Sequence, residues 1–167
     1  MSERNVNCGI GVLFVIAMWT SGEALAADVE SSRYLLKEEP KDAQAVKAIR
    51  EKGKDGEKVI VVGRIGGRAN PWIKDAAAFS IVDSSLKSCD QIPGDNCPTP
   101  WDYCCESDLR KGTLLITFTD GDGKIVKQDA RKLLSIKELQ TVLIEGQVKR
   151  DKNNNVSIRA AKIYVKE

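Results

Sequence analysis

After residue 57 the chain consists mainly of short segments rich in β-forming residues, separated by turns of Gly, Asn and Asp. This pattern is compatible with few folds. Segments rich in Val, Ile and Thr predict strands at residues 58–67, 76–83, 113–119, 141–150 and 156–166. A short return strand at 124–128 and a helix at 130–140 are predicted between the third and fourth of these. Three strands, a helix and two more strands is the order of a five-stranded Greek-key barrel. We therefore expect a mainly β protein built on such a barrel.

Alternation of apolar and polar residues along these strands predicts which side chains fill the barrel. Six of them are expected in the core: Phe79, Ile81, Ile116, Phe118, Ile144 and Ile163. In the last strand, the apolar residues at 156, 158 and 160 have the opposite parity to those at 161, 163 and 165. A bulge is therefore expected at 160–161, with Ala161 facing inward. Gly63 and Gly146 lie inside strands, as a barrel requires where a strand coils sharply.

The sequence of these strands resembles the OB-fold superfamily, in particular small exported OB-fold proteins of bacteria. The resemblance rests on VVGRI at 61–65, FSIVD at 79–83, VLIEGQV at 142–148 and AKIYV at 161–165, and it covers roughly residues 58–166. It implies a binding fold whose known partner classes are oligonucleotides, oligosaccharides, proteins and small ligands. Fold alone does not choose among these classes.

The segment at 84–111, which we call the cysteine loop, carries four cysteines: Cys89, Cys97, Cys104 and Cys105. Loops of this length in compact domains are usually functional or cross-linked. One interpretation is two disulfides and no cofactor, in which each member of the adjacent pair bonds to one of the earlier two cysteines, because neighbouring cysteines rarely bond to each other. The alternative is a thiolate site for zinc or copper, although the spacing lacks the CxxC pairs of structural zinc sites. Redox-active thiols are a third interpretation.

Histidine is absent from the sequence. Without imidazole, general base catalysis at neutral pH, Ser-His triads and most zinc, copper or haem sites lose their usual base or ligand. No carboxylate pair lies on a recognisable scaffold for glycoside hydrolysis either. We therefore expect a binding protein and not an enzyme.

The first 26 residues are typical of a signal peptide. An apolar stretch at 10–19 precedes Ala-Leu-Ala at 24–26, the small-x-small pattern that signal peptidase accepts. About ten apolar residues are too few to span a bilayer, which takes about twenty. We expect export to the periplasm or the extracellular space, with no membrane span in the mature chain. Because Glu3 offsets Arg4, an uncleaved N-terminal anchor stays the alternative.

Residues 27–57 are predicted to form a tether followed by a short amphipathic helix. Ala43, Val46 and Ile49 recur at helical spacing. Pro40 suits the first turn of this helix and Gly53 its end. We expect the apolar face of the helix to dock on the barrel. Residues 58–167 then form the OB-fold domain, with the cysteine loop inserted between its second and third strands.

The binding surface is expected on the outer side of the second, third and fifth strands, with the cysteine loop as one wall. It gathers cations and aromatic residues: Arg64, Trp101, Tyr103, Arg159, Lys162 and Tyr164. Such groups suit an anionic or flat apolar partner, which is a protein, an anionic saccharide or a small ligand. In the alternative arrangement, Trp101 and Tyr103 pack onto the mouth of the barrel instead of a partner.

Nucleic acid is the alternative partner, and it has a specific requirement. Proteins that bind single strands stack bases on aromatic side chains that point away from the barrel. Phe79 and Phe118 are the aromatic residues of the second and third strands, and both are predicted to point inward. The sequence therefore favours the other partner classes.

Overall fold

The structure, a computed structural model, describes residues 31–166, so the predicted signal segment at 1–26 lies outside the described residues. In chain order the elements are β1 (Gln44–Ala45), α1 (Val46–Lys52), β2 (Lys58–Ile65), β3 (Ala78–Val82), a 3-10 turn (Cys89–Gln91), β4 (Thr113–Phe118), α2 (Ala130–Leu134), β5 (Thr141–Arg150) and β6 (Val156–Val165). Within residues 31–166, no helix is long and apolar enough to cross a membrane.

Strands β2 to β6 form a closed five-stranded barrel. The pairs β2–β3, β3–β4, β5–β6 and β2–β5 are antiparallel, and β4–β6 is parallel. Pairing of β2 with β5 closes the sheet, and the two-residue β1 lies parallel to β2 outside the ring. The predicted mainly β fold class is confirmed, and the closed barrel is consistent with an OB-fold-like architecture.

The predicted core is confirmed. The six expected side chains are all 0 % exposed: Phe79, Ile81, Ile116, Phe118, Ile144 and Ile163. The rings of Phe79 and Phe118 are stacked, with their centroids 6.3 Å apart. Both phenylalanines therefore point into the barrel and neither offers a surface on which a base could stack.

A bulge lies in β6 where the sequence predicts one. Glu145 of β5 pairs with Lys162, whereas the next residue, Gly146, pairs with Ala160. Ala161 is therefore the extra residue, and it is exposed, so the expectation that Ala161 faces inward is wrong. A Cβ at Gly146 would lie 2.4 Å from a carbonyl oxygen of β6. Glycine is required here because the two backbones approach so closely.

The described part of the predicted tether is packed on the barrel. Tyr34 is 4 % exposed, and its ring meets Phe118 edge-on with the centroids 5.4 Å apart. The backbone bonds to β6 in both directions: the N–H of Leu36 donates to Ile163 O at 2.8 Å, and the N–H of Ile163 donates to Tyr34 O at 2.8 Å. One buried ring and two hydrogen bonds create no periodic pattern, so the sequence carried no sign of this docking.

Helix α1 begins at Val46 and not at residue 40, because residues 44–45 pair with β2. Its apolar face is buried as expected, with Val46 at 0 % and Ile49 at 1 % exposure. Ala45 occupies the N-cap position and has no side chain that can cap the helix. Asp83, just after β3, supplies the cap: its Oδ2 accepts a hydrogen bond from the N–H of Lys47 at 2.8 Å.

The connection between β4 and β5 has less regular structure than predicted. Helix α2 ends at Leu134 and not at residue 140, because Ser135 takes the left-handed conformation with φ 53°. Residues 124–128 form no strand, and Ile125 makes a single bridge with Thr119. The segment is nevertheless joined to the barrel, because the N–H of Val126 donates to Phe118 O at 3.1 Å and the N–H of Ala77 donates to Val126 O at 2.8 Å.

Candidate functional site

The cysteine loop leaves the barrel after β3 and returns at β4 with little regular structure. Two backbone hydrogen bonds join its 3-10 turn to its second half: the N–H of Cys89 donates to Asp102 O at 2.8 Å, and that of Asp90 donates to Pro100 O at 3.0 Å. The loop is therefore folded back on itself. This brings Cys89 close to Cys104, although 15 positions separate them in the chain.

Arg64 of β2 fastens the cysteine loop to the barrel. Its guanidinium donates to Ser88 Oγ at 2.6 Å and forms a salt bridge with Asp90 at 2.9 Å, and its Nε donates to Leu139 O at 2.9 Å. Burial would raise the pKa of Asp90, but hydrogen bonds from Ser88 and Arg64 outweigh this effect and lower it. Because these donors are already engaged, Arg64 holds the loop in place and has little left for a ligand.

Tyr103 and Trp101 occupy different environments. Tyr103 is 1 % exposed and packs with Val82 and Leu86 in a small apolar cluster between the loop and β3. This burial corrects the expectation that Tyr103 belongs to an exposed contact surface and agrees with the alternative in which it packs on the barrel. Trp101 is half-buried, and its Nε1 donates to Ala69 O in the β2–β3 loop at 3.0 Å.

The four cysteines of the loop are free thiols. The Sγ atoms of Cys89 and Cys104 are 3.5 Å apart, and those of Cys104 and Cys105 are 3.9 Å apart. A disulfide has an S–S distance of about 2.05 Å, so no disulfide is present among them. The Sγ atoms of Cys89, Cys97 and Cys104 all lie within 4.8 Å of one another, a group that Cys105 does not join.

These thiols differ in acidity. Burial raises the pKa of the Cys89 thiol to about 12. The Cys97 thiol is half-buried, and a hydrogen bond with the Thr99 hydroxyl, 3.5 Å from its sulfur, lowers its pKa. Chemically, this cluster can hold a soft metal ion or form one disulfide.

The predicted cations of β6 lie apart from the cysteine loop. Lys162 donates to Arg33 O at 2.6 Å, and Tyr164 pairs with a residue of β5. Exposed Arg159 lines a cavity of about 770 Å³ that none of the predicted residues Arg64, Trp101 and Tyr103 reaches. Charged residues of both signs line this cavity: Arg33, Lys58, Arg159, Asp42 and Glu145. The surface expected from the sequence is thus divided into a part on the cysteine loop and a part on β6. In the cavity beside Arg159, three cations face two carboxylates, so neither charge is in strong excess.

A second cavity, of about 610 Å³, lies on the outer face of β3 and β4. Three arginines line it, and we call it the arginine cavity: Arg50 of α1, Arg68 of the β2–β3 loop and Arg110 of the cysteine loop. Ser80 of β3 and Leu115 of β4 contribute from the barrel wall, and the β5–β6 turn contributes on another side. No acidic residue of the described chain belongs to this lining.

The arginine cavity holds uncompensated positive charge. Arg50 donates to Thr113 O at 2.7 Å, and none of the three lining arginines forms a salt bridge with another described residue. Burial, and after it the positive charges of Arg110 and Arg150, lowers the pKa of Arg50. Like charges are therefore close enough to repel each other, and an anion placed among them would relieve this repulsion.

Aliphatic side chains accompany these arginines. Ile73 is 47 % exposed and Leu115 is 38 % exposed, and both line the cavity. No aromatic residue among positions 31–166 does so. The arginine cavity can therefore combine charge recognition with contact to apolar groups, but it lacks the aromatic platform on which single-stranded nucleic acids stack their bases.

Sequence reasoning missed the arginine cavity because its cations are far apart in the chain. Arg50 lies on the predicted helix, Arg68 in the turn after the first barrel strand and Arg110 near the end of the cysteine loop. The position of Arg68 was the available signal, since barrels of the resembled superfamily use the loop after their first strand for binding. Nothing in the local pattern connects it with the other two.

No protein-family model and no curated protein matches the chain. Among solved structures, a putative aspartyl-tRNA synthetase from Leishmania major Friedlin is similar to it, with a TM-score of 0.47 and 10% sequence identity. The match covers 87% of this chain and 26% of that chain, so the present chain spans about a quarter of that protein's length.

Proposed function

We propose that this chain is an exported binding protein, not an enzyme, and that it binds an anionic ligand in the arginine cavity. The observation that carries the proposal is the convergence of Arg50, Arg68 and Arg110 on a cavity whose described lining contains no carboxylate. Guanidinium groups bind carboxylate, sulfate or phosphate through paired hydrogen bonds. The absence of histidine from the sequence supports binding over catalysis.

An acidic saccharide suits this cavity better than a nucleic acid does. The carboxylates or sulfates of such a saccharide would pair with the arginines, and the C–H faces of its rings would cover the exposed Ile73 and Leu115. A single-stranded nucleic acid would bring bases to a face where Phe79 and Phe118 are buried in the core. A small organic anion carries the same carboxylate or sulfate groups and belongs to the same class of anionic ligands.

The binding test compares two double charge reversals in the full chain. We expect an oligogalacturonate, titrated calorimetrically at low salt, to bind the wild type and to bind Arg68→Glu/Arg110→Glu at least about tenfold more weakly, because two attractive charges become repulsive. Neither arginine forms a salt bridge among the described residues, so the substitutions break no ion pair. The control, Arg159→Glu/Lys162→Glu, changes the net charge equally outside the arginine cavity and should bind as the wild type does.

Three results would contradict the proposal. Equal weakening in both variants would indicate a general charge effect, and weakening in the control alone would move the site to the outer face of β6. A single-stranded oligonucleotide of matched charge that binds more tightly than the saccharide would replace the ligand class.

Export has its own test. N-terminal sequencing of the protein recovered from the envelope or medium of the producing cell should begin near residue 27, after the Ala-Leu-Ala pattern at 24–26. An intact first residue on protein recovered from the cytosol would contradict it.

A further inference from the structure

Three sulfur atoms of the cysteine loop converge at the spacing of ligands around one ion. The Sγ atoms of Cys89, Cys97 and Cys104 lie within 4.8 Å of one another, and the first and last are 3.5 Å apart. Thiolates that bind zinc at about 2.3 Å stand roughly 4 Å from each other in three- or four-coordinate geometry. The observed triangle therefore needs only small side-chain shifts to close around an ion.

Two disulfides fit this arrangement less well. A bond between Cys89 and Cys104 would leave the Cys97 sulfur beside it, and Cys97 would then have to pair with Cys105. Cys105 is not part of the mutually close group; its sulfur approaches that of Cys104 at 3.9 Å. Three of the four sulfur atoms therefore lie close to one another, and the sulfur of Cys105 lies outside this group.

We propose that Cys89, Cys97 and Cys104 form a three-thiolate site for a thiophilic metal ion, copper(I) or zinc(II). Soft sulfur ligands select these ions over magnesium, calcium and manganese, which take oxygen ligands. The chain has no histidine to compete as a ligand. The site is separate from the arginine cavity, because none of the four loop cysteines belongs to the lining of that cavity.

The loop backbone positions these ligands in advance. The N–H of Cys89 is bonded to a carbonyl in the second half of the loop, and the N–H of Cys97 donates to Asp95 Oδ1 at 2.9 Å. Tyr103, the neighbour of Cys104, is 1 % exposed and anchors that side of the loop. Ligands that are already held in place lose less conformational entropy when an ion binds.

Binding exchanges protons for the ion and involves no electron transfer. Each thiol releases its proton to water as its sulfur bonds to the metal, and the oxidation state of the ion does not change. Because protons compete with the ion for the same sulfurs, the affinity rises with pH. The released protons can be counted by titration in weakly buffered solution.

The experiment uses the full chain, reduced, stripped of metal with a chelator and kept free of oxygen. Copper(I) is titrated in one arm and zinc(II) in the other. We expect one ion per chain in at least one arm and, for copper(I), an ultraviolet thiolate-to-metal absorption band. The bound ion should protect Cys89, Cys97 and Cys104 from alkylation, as mass spectrometry of the digest reports, and leave Cys105 reactive.

Two variants are matched, because each replaces one loop sulfur that is not fully buried: Cys97→Ser and Cys105→Ser. Loss of a ligand should exceed the tenfold to hundredfold loss that follows removal of an outer-shell partner, so we expect Cys97→Ser to weaken binding by at least about a hundredfold. Cys105→Ser should bind as the wild type does. Far-UV circular dichroism of both variants serves as the check that each is folded.

The proposal is overturned if neither ion binds in a one-to-one ratio, or if a bound ion leaves the three thiols as reactive as in the metal-free chain. It is also overturned if Cys105→Ser loses the ion as fully as Cys97→Ser does, which would replace the three-sulfur site by a four-sulfur one. Because protection is measured on the wild type, a variant that fails to fold does not remove the test.

Discussion

The barrel and the cysteine loop are held together in different ways. In the barrel, strands β2 to β6 form a closed ring of backbone hydrogen bonds around a core in which Phe79, Ile116 and Ile144 are 0 % exposed. The cysteine loop contains no strand, and its apolar anchor is a small cluster around Tyr103. Its position depends on a side chain of the barrel, Arg64. The comparison indicates that the barrel supports the loop far more than the loop supports the barrel.

The two candidate sites differ in which of these regions supplies their residues. The arginine cavity takes Ser80 and Leu115 from the barrel wall and Arg110 from the end of the cysteine loop, whereas the cysteine triangle lies entirely within the loop. Binding residues are commonly carried by loops that a rigid scaffold positions. The barrel therefore supplies the wall of the arginine cavity, and the cysteine loop supplies Arg110 and the three converging sulfur atoms.

The largest effect is expected from removing a barrel side chain. Phe118→Ala should lower the free energy of unfolding by about 3–5 kcal/mol, since it leaves a cavity in a closed core. The lost ring contacts both Tyr34 and Phe79. Denaturant unfolding followed by circular dichroism measures this change, and a loss below about 1 kcal/mol would show that the ring is not in the core.

A change at the junction of the two regions should act on the loop alone. A Cβ at Gly66 would lie 2.5 Å from Trp101 O, so Gly66→Ala forces the cysteine loop away from the barrel. Overpacking of this kind costs about 1–3 kcal/mol, and we expect the loop to open locally while the barrel stays folded. Limited proteolysis should then cut within residues 84–111 faster than in the wild type.

The control for this substitution is Gly121→Ala, because a Cβ there meets nothing within 4 Å. Equal proteolysis rates in the two variants would show that the loop does not depend on the contact at Gly66. Complete unfolding of Gly66→Ala would show instead that the barrel and the loop form one cooperative unit.

The smallest effect concerns the cap that the barrel gives to α1. Burial would raise the pKa of Asp83, but hydrogen bonds from the N–H groups of Lys47 and Ser85 outweigh it, so the folded pKa is lower than usual. The carboxylate therefore stabilises the fold above the unfolded pKa of about 3.9, and this contribution disappears as the pH falls through the folded value.

Asp83→Asn should accordingly cost about 0.3–1 kcal/mol at pH 7, because the amide keeps a capping oxygen but loses the negative charge at the N-terminus of α1. Below about pH 4 the difference from the wild type should shrink, because the wild-type carboxylate becomes protonated there. Denaturant titrations at neutral and acid pH measure both quantities. A difference that stays constant from pH 7 to about pH 2 would show that the charge of Asp83 does not contribute.

Most of the barrel could be predicted because strand alternation is a local property. β5 was predicted with its observed bounds, Thr141–Arg150, and the six core side chains are all buried. The bulge in β6 followed from a change of parity, although the outward residue at that point, Ala161, was assigned to the wrong face. Parity shows that an extra residue is present, but it does not show which of two adjacent alanines is the extra one.

The candidate sites could be predicted only in part. The sequence singled out the four loop cysteines, but the division into three converging sulfurs and the outlying Cys105 depends on how the loop folds back. Arg64 and Tyr103 were expected on a binding surface, and the structure places Arg64 in a network with Ser88 and Asp90 and buries Tyr103. A long polar or aromatic side chain near a loop suits a structural contact as well as a ligand, and composition cannot separate the two.

The sequence by itself determined the order of the barrel strands along the chain, six side chains of the barrel core and the concentration of cysteines in one loop, because each is recorded in neighbouring residues. The tertiary structure alone decided which charges meet. Arg50, Arg68 and Arg110 converge only after β2 pairs with β5 and the cysteine loop returns to β4. Electrostatic repulsion and attraction act through space, and the distances between these groups are set by barrel closure and not by their separation along the chain.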